Sequence, residues 1–317
     1  MRYAVIGGAG FIGSHVTKEL LRAGEEVVVY DNFSSGTKGH LKEVQDNRCL
    51  QIVHGDIKEL DLLKDAVKGC STVYHFASNP DIAKAVSQPD IDFWEGTYLT
   101  NNILEAMRQN GIRRLIYASG SGVYGECGTE PVKEEIPVMR PISTYGASKL
   151  SCEALIGSYC YMFGMNAAAF RFANVVGPRQ THGVGYDFIR RLRSKPQKLR
   201  ILGDGTQNKS YIHVDDIVAA VRLVETGHLC GFDAYNVATL DTVTVTQIAD
   251  MAQEITGACA VYEYTGGDRG WKGDVPVIRM DSGKIRALGW ANRLSSRQAL
   301  YASMEAMYKE GCVDEGL

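Results

Sequence analysis

Tyr3-Ala4-Val5-Ile6-Gly7-Gly8-Ala9-Gly10-Phe11-Ile12-Gly13 decides how the chain folds. A short apolar run stops at a glycine cluster, and a helical pattern (His15, Val16, Leu20, Leu21) follows until Gly24. Strand, glycine turn and helix in that order open a βαβ unit of the kind that cradles a dinucleotide. Gly7 permits the tight turn, Gly10 lets backbone approach a pyrophosphate, and Gly13 lets helix and strand lie close. The helix start then offers free N–H groups and a positive dipole end to phosphate. The spacing is Gly-x2-Gly-x2-Gly, not the commoner dinucleotide form, so the neighbouring sequence has to support it.

It does. Glu26-Val27-Val28-Val29-Tyr30 reads as a second strand running into Asp31-Asn32. An acid at that place accepts hydrogen bonds from the adenosine ribose and repels a 2′-phosphate, which favours NAD over NADP. Leu50-Gln51-Ile52-Val53 is a third strand ending at Gly55-Asp56-Ile57, where Asp56 can bond the adenine amino group. Thr72–Ala77 and Arg114–Ala118 continue the series, and residues 91–110 read as one long helix stopped by Gly111. Alternating strands and helices imply α/β architecture with a doubly wound parallel sheet of Rossmann type. Its ligand crevice lies at the carboxyl ends of the strands, and Phe76-Ala77-Ser78 should line it.

The chemistry is carried by Ser143-Thr144-Tyr145-Gly146-Ala147-Ser148-Lys149. Tyr145 and Lys149 are four residues apart at the start of a helix pattern and so share a face. An ammonium near a phenol favours the phenolate, and a phenolate available near neutral pH is a general base. Removing the alcohol proton is half of an oxidation, and the dinucleotide supplies the hydride acceptor for the other half. Alone, Tyr-x3-Lys can equally be a surface Lys beside a half-buried Tyr; the nucleotide signature is what selects the chemical reading.

Bulk properties exclude other classes. The chain has 317 residues, 45% hydrophobic and 22% charged, with a net charge of −3 and both signs interspersed. That is globular composition with no basic stripe for nucleic acid. No apolar run is long enough to span a bilayer, and the chain enters a strand at once, leaving no room for a signal peptide. The eight cysteines include no Cys-x2-Cys pair. We therefore expect reduced thiols, no metal site and a cytoplasmic protein. Cys152 and Cys160, His75 and His213, and the C-terminal Tyr301, Met304, Met307 and Tyr308 read as packing residues. From about Asn174 the pattern loosens, so residues 1–173 are expected to bind NAD, with some later segments returning to that domain. Residues 174–317 are expected to form mainly a smaller α/β substrate domain.

Taken together, Gly7-x2-Gly10-x2-Gly13, Asp31-Asn32, Asp56-Ile57, His75-Phe76-Ala77, Val123-Tyr124-Gly125, Tyr145-x3-Lys149 and Arg171-Phe172-x-Asn174-x2-Gly177-Pro178 resemble the extended short-chain dehydrogenase/reductase family. Gly203-Asp204-Gly205-Thr206 and Tyr211–Asp216 extend the match over nearly the whole chain. Within the family the chain is most similar to the enzymes that epimerise UDP-glucose and UDP-galactose at C4.

The resemblance implies a cofactor set of Gly7, Gly10, Phe11, Ile12, Gly13, Asp31, Asn32, Ser35, Gly36, Asp56, Ile57, Phe76, Ala77, Ser78, Ser119, Tyr145, Lys149 and Phe172. It implies that Asn174, Val184, Ile201, Lys209, Arg269 and Asp274 bind a UDP-sugar, with Asp274 holding Arg269 or a ribose hydroxyl. It also implies a homodimer built through a four-helix bundle. Two departures matter. The family carries Ser or Thr where this chain has Gly120, so the partner hydroxyl falls to Ser119, Ser121 or water, and Ser121 is our choice. Related dehydratases and decarboxylases place carboxylates directly before Val-Tyr-Gly, where this chain has Ser121-Gly122. UDP-N-acetylglucosamine or UDP-uronate epimerisation, sugar-nucleotide reduction and a non-catalytic NAD sensor remain open alternatives. For the sugar itself, His182 could anchor a uronate, but a neutral hexose is the better fit.

Overall fold

A computed structural model describes residues 1–310; Cys312 lies outside them. The chain divides into two compact units. The first comprises Met1–Gly125, Val138–Arg171 and Val218–Tyr235; the second comprises Glu126–Pro137, Phe172–Ile217 and the chain from Asn236 on.

In the first unit the apolar runs form β1 (Arg2–Ile6), β2 (Glu26–Asp31), β3 (Leu50–His54), β4 (Thr72–His75), β5 (Arg114–Gly120) and β6 (Asn166–Phe172). With Phe232–Val237 they make a seven-stranded sheet in the order Phe232–Val237, β6, β5, β4, β1, β2, β3. Neighbours from β5 through β4, β1 and β2 to β3 run parallel. The chain therefore leaves β1 for β2 and β3 on one side, then returns to β4 on the other. That reversal opens a crevice at the carboxyl ends of β1 and β4.

Helices α1 (Phe11–Arg22), α2 (Leu60–Val67), α3 (Leu99–Gln109) and α4 (Thr144–Phe163) cover the sheet, and the helix Val214–Gly227 bonds to β4 and β5 through Arg222 and Glu225. The core joins Ile6, Val28 and Leu115 of the strands to Leu63, Ile103, Leu104, Cys152 and Ile156 of the helices. Helix α4 starts at Ser143, whose hydroxyl accepts the Gly146 N–H at 3.1 Å, and ends at Gly164 in the left-handed region. A serine cap and a glycine stop fix the helix that carries Tyr145.

The expected helix over 91–110 is present but changes pitch. Phe93–Tyr98 forms a π-helix, and α3 proper begins at Leu99. At the π-turn Gly96 lies so close to α4 that a Cβ there would sit 2.3 Å from Ser148 Oγ. Ser148 Oγ also donates to the Asp92 carbonyl at 2.6 Å and lies 3.0 Å from Thr97 Oγ1.

The second unit has its own core, which joins Phe188, Ile189 and Leu192 of α5 (Val184–Ser194) to Leu199, Ile248, Met251, Leu300, Met304 and Met307. Residues 126–137 belong to it although they precede β6. The Val132 N–H donates to the Arg279 carbonyl at 2.9 Å, and Glu134 accepts the Asn236 N–H at 2.7 Å. Among the described residues no helix is long and apolar enough to cross a membrane, and no His, Cys, Asp and Glu cluster could hold a metal ion.

Candidate functional site

At the reversal of the sheet in the first unit lies an open cleft, where such folds bind their ligands. Gly7, Gly10, Asp31, Asn32, Ser35, Asp56, Ile57, Phe76, Ala77 and Ser78, all expected from the sequence, line it. Tyr30, Gly55, Glu95 and Leu99 line it too and were not anticipated. Glu95 and Leu99 are one helical turn apart; with 91–110 read as a uniform helix, no signal marked the face turned to the cleft.

The floor of the cleft is backbone. Gly7 has φ +77°, and a Cβ there would stand 2.7 Å from the Ala77 nitrogen. Gly13 is buried beneath the turn; its Cβ would stand 2.2 Å from the Gly7 carbonyl oxygen. Phe11 and Ile12 begin α1, whose start has no side-chain cap. Its first N–H groups are thus available to an anion. Gly36 lies against the Ala9 backbone, where a Cβ would come within 2.8 Å.

Asp31 Oδ2 accepts the Ala9 N–H at 2.9 Å and Oδ1 accepts the Phe33 N–H at 2.8 Å. Each oxygen keeps a second lone pair for a ribose hydroxyl. Asn32 Nδ2 donates to Asp56 Oδ2 at 3.1 Å. The lining includes Asp31, Asp56 and Glu95 and no Lys or Arg. A 2′-phosphate would meet carboxylates there, so the residues present fit NAD.

The Tyr–Lys pair stands at the start of α4. Lys149 is buried, and its ammonium donates to the Ala118 carbonyl at 2.8 Å. Its Nζ lies 5.4 Å from the Tyr145 ring centroid and 5.1 Å from that of Tyr117. Tyr145 is half-buried. The 3₁₀ turn Ser121–Val123 abuts it, because Gly122 and Gly146 touch through backbone: a Cβ on Gly146 would be 2.3 Å from the Gly122 carbonyl oxygen. Ser121 is half-buried at the start of that turn. At Gly120 a Cβ would meet nothing within 4 Å, and the backbone is extended (φ −161°, ψ 167°). Ser119, expected at the cofactor, is 5% exposed and gives its hydroxyl to Glu153 at 2.6 Å.

Beneath the pair, His75 Nε2 lies 3.0 Å from Thr100 Oγ1, and its Nδ1 has no partner among the described residues. Burial, reinforced by the Lys149 charge, pushes the imidazole down to about 3. An unfolded histidine titrates near ~6.5. Between those values the unfolded chain binds a proton that the folded one refuses, so stability falls as pH drops through that window. His75→Gln is expected to lose less of its melting temperature between about pH 7 and pH 5 than the parent. An equal loss would assign the acid sensitivity to other groups.

The second unit holds the residues expected at the UDP-sugar. Asn174 is exposed and donates to the Ser210 carbonyl at 3.1 Å. Val184 opens α5 behind Gly183. Asp274 pairs with Lys209, not with Arg269; Arg269 instead meets Glu126 at 2.9 Å and Asp268 at 3.1 Å. Ile201 corrects an expectation: at 0% exposed it is sealed in the core and offers no surface to a base. Its neighbour Leu202, 43% exposed, is free to do so. The strand runs Lys198–Ile201, which places 201 on the inward side.

A glycine-floored dinucleotide cleft at the reversal of a parallel sheet, with Tyr-x3-Lys on the helix after β5, defines a nucleotide-dependent α/β enzyme of the short-chain dehydrogenase/reductase class. The comparisons narrow it: residues 3–238 match the NAD dependent epimerase/dehydratase family, and the chain belongs to it. NAD is the cofactor of that family. A solved UDP-galactose 4-epimerase is 37% identical, with a TM-score of 0.88, over 98% of this chain and 100% of that one. The UDP-glucose 4-epimerase of Lacticaseibacillus casei is 31% identical over 92% of this chain and 91% of its own length. The UDP-glucuronic acid 4-epimerase of Bacillus cereus, solved with UDP-glucuronic acid and NAD, is 26% identical. Its TM-score is 0.89, over 98% of this chain and 100% of that one.

Proposed function

We infer that the chain epimerises a UDP-hexose at C4, interconverting UDP-glucose and UDP-galactose through a transient 4-keto sugar. The observation that carries this reading is the Tyr145–Lys149 pair, fixed by the bond from Lys149 to Ala118, on the helix that follows β5 of the dinucleotide sheet. When bound, NAD would supply a reversible hydride acceptor for the sugar carbon.

Tyr145 takes the proton of the 4-hydroxyl as general base and returns it as acid. Lys149 supplies the positive charge beside the phenol oxygen and a donor to the cofactor ribose. Gly7, Gly10, Phe11, Ile12 and Gly13 present backbone to the pyrophosphate. Asp31, Asn32, Ser35, Gly36, Asp56 and Ile57 hold the adenosine, and Phe76, Ala77, Ser78 and Phe172 line the remainder. Asn174, Val184, Lys209, Arg269 and Asp274 hold the UDP. A firm grip on the UDP and a loose one on the hexose let the sugar turn over without escaping.

Elimination of water would need a further acid or base at the turn before Val123. Ser121 and Gly122 carry no carboxyl group, which favours epimerisation. The open space at Gly120 gives a second test. A serine there is expected to fold without strain and to raise kcat about 3- to 10-fold, the worth of one hydrogen bond to the reacting hydroxyl. A fall in kcat would show that the space is needed empty.

The same reading pairs two copies across α4 and the helix formed by the π-turn Phe93–Tyr98 and α3; Trp94 and Phe93 of the π-turn are 44% and 51% exposed, and Tyr161 and Met162 of α4 are 93% and 68% exposed. A monomer by size-exclusion chromatography would contradict it. The deciding experiment incubates purified protein with UDP-glucose, UDP-galactose, their N-acetylated forms and UDP-glucuronate, without added reductant. Conversion of UDP-galactose to UDP-glucose supports the reading. Conversion of UDP-glucuronate alone would replace it, and stoichiometric consumption of NADH would make the enzyme a reductase.

A further inference from the structure

Behind Tyr145 and Lys149 lies a charged cluster that the proposed chemistry does not use. Glu153 follows Lys149 by one turn, so the three residues share a face of α4. Its carboxylate meets Arg171 of β6 in a two-pronged pair, Nη2 to Oε2 at 2.7 Å and Nε to Oε1 at 3.1 Å. Both side chains are 4% exposed. Oε1 also accepts the Ser119 hydroxyl at 2.6 Å. Arg171 Nη1 donates to the Tyr124 hydroxyl at 2.8 Å, and its guanidinium lies 5.0 Å from the centroid of that ring.

Burying an ion pair is a poor way to stabilise a fold. The lost hydration of both ions offsets their attraction, and an apolar pair of similar volume does as well. What a forked ionic contact adds is direction. Lys149 binds the carbonyl of Ala118 while Glu153 binds the side chain of Ser119, so one helix face grips two successive residues of β5. Through Arg171 the same carboxylate reaches Tyr124, just past the turn that carries Ser121. A rotation of α4 would break both grips at once.

We propose that Glu153 and Arg171 are positioning residues: through Ser119 and Tyr124 they hold the end of β5 and its turn in fixed register with the Tyr145–Lys149 face of α4. The rate consequence rests on the 4-epimerase reading; the cofactor consequence does not. The test compares the holoenzyme with Glu153→Met/Arg171→Met and with Ser119→Ala. It measures melting temperature, kcat, KM and the rate at which bound dinucleotide is lost on dilution.

The double variant is expected to melt within about 5 °C of the parent. It should nevertheless lose about 100-fold in kcat, as misplacement by about 1 Å can cost, with KM within about threefold. Nucleotide loss should be about fivefold faster, and Ser119→Ala should lose about 10-fold in kcat. A folded double variant with kcat within about threefold of the parent and unchanged nucleotide loss overturns the proposal. If the double variant does not fold, Ser119→Ala decides: behaviour within about twofold of the parent on both readouts overturns it. If the parent turns over no sugar nucleotide, the 4-epimerase reading falls separately, and nucleotide loss in the same variants still decides this one.

Discussion

Replacing Tyr145 with Phe is expected to lower turnover by about 10²–10⁴-fold, the range a positioned general base contributes. The substitution removes one oxygen and keeps the ring. The ring is half-buried, and the Lys149 ammonium lies 5.4 Å from its centroid. The cleft is lined by residues at or after the ends of β1, β2, β3 and β4 and by Glu95 and Leu99, and Tyr145 is not among them. The variant should therefore fold, purify with dinucleotide bound and fail only in proton transfer. Nucleotide released on denaturation, quantified beside product formed from UDP-galactose, separates the two properties. Turnover within about tenfold of the parent would remove Tyr145 from the role of base.

The second large effect is expected from Gly13→Val. A Cβ at 13 would lie 2.2 Å from the Gly7 carbonyl oxygen, 2.9 Å from Gly8 Cα and 3.0 Å from the Gly7 carbonyl carbon. All three are backbone atoms, so no side chain can swing aside; the β1–α1 turn must move or the helix must lift. Overpacking of this kind costs about 1–3 kcal/mol. The moved atoms also present the pyrophosphate floor, so dinucleotide affinity should fall by about 100-fold, more than the loss of stability alone would cause. Gly10→Ala is the comparison, since its Cβ would stand 3.2 Å from the same oxygen, a gap that a small shift relieves. A Gly13→Val protein that retains dinucleotide as well as Gly10→Ala would show that the turn is not the floor of the site.

Much of this was legible in the sequence because it is local. The turn after Ile6, the acid at 31 and the spacing of 145 and 149 each follow from chain geometry over a few residues. What was hidden depends on distant partners. The π-helix at Phe93–Tyr98 lies where Gly96 meets Ser148, some fifty positions away in the chain. Residues 126–137 lie inside the stretch 1–173 expected to bind NAD but join the second unit through Arg279 and Asn236, over a hundred positions further on. Ile201 was assigned to a ligand because the strand was placed correctly while its inward side was not known. Lys209, Asp274 and Arg269 were recognised as charges near an anion, but which carboxylate holds which cation was set by the fold. Glu153 did carry a signal: a lone acid on the inward face of an apolar helix demands a buried cation. Arg171, flanked by Phe170 and Phe172 after a run of alanines, is the cation that such a search would have found.

If Tyr145 serves the 4-hydroxyl of a UDP-hexose while a bound NAD would serve C4, the hydride returns to the carbon it left. UDP-galactose carrying deuterium at C4, incubated with the purified protein in ordinary water, tests this most directly. The account requires UDP-glucose with the deuterium still on C4. Product in which the label has been lost to solvent or has moved to another carbon, or no product at all, would contradict it.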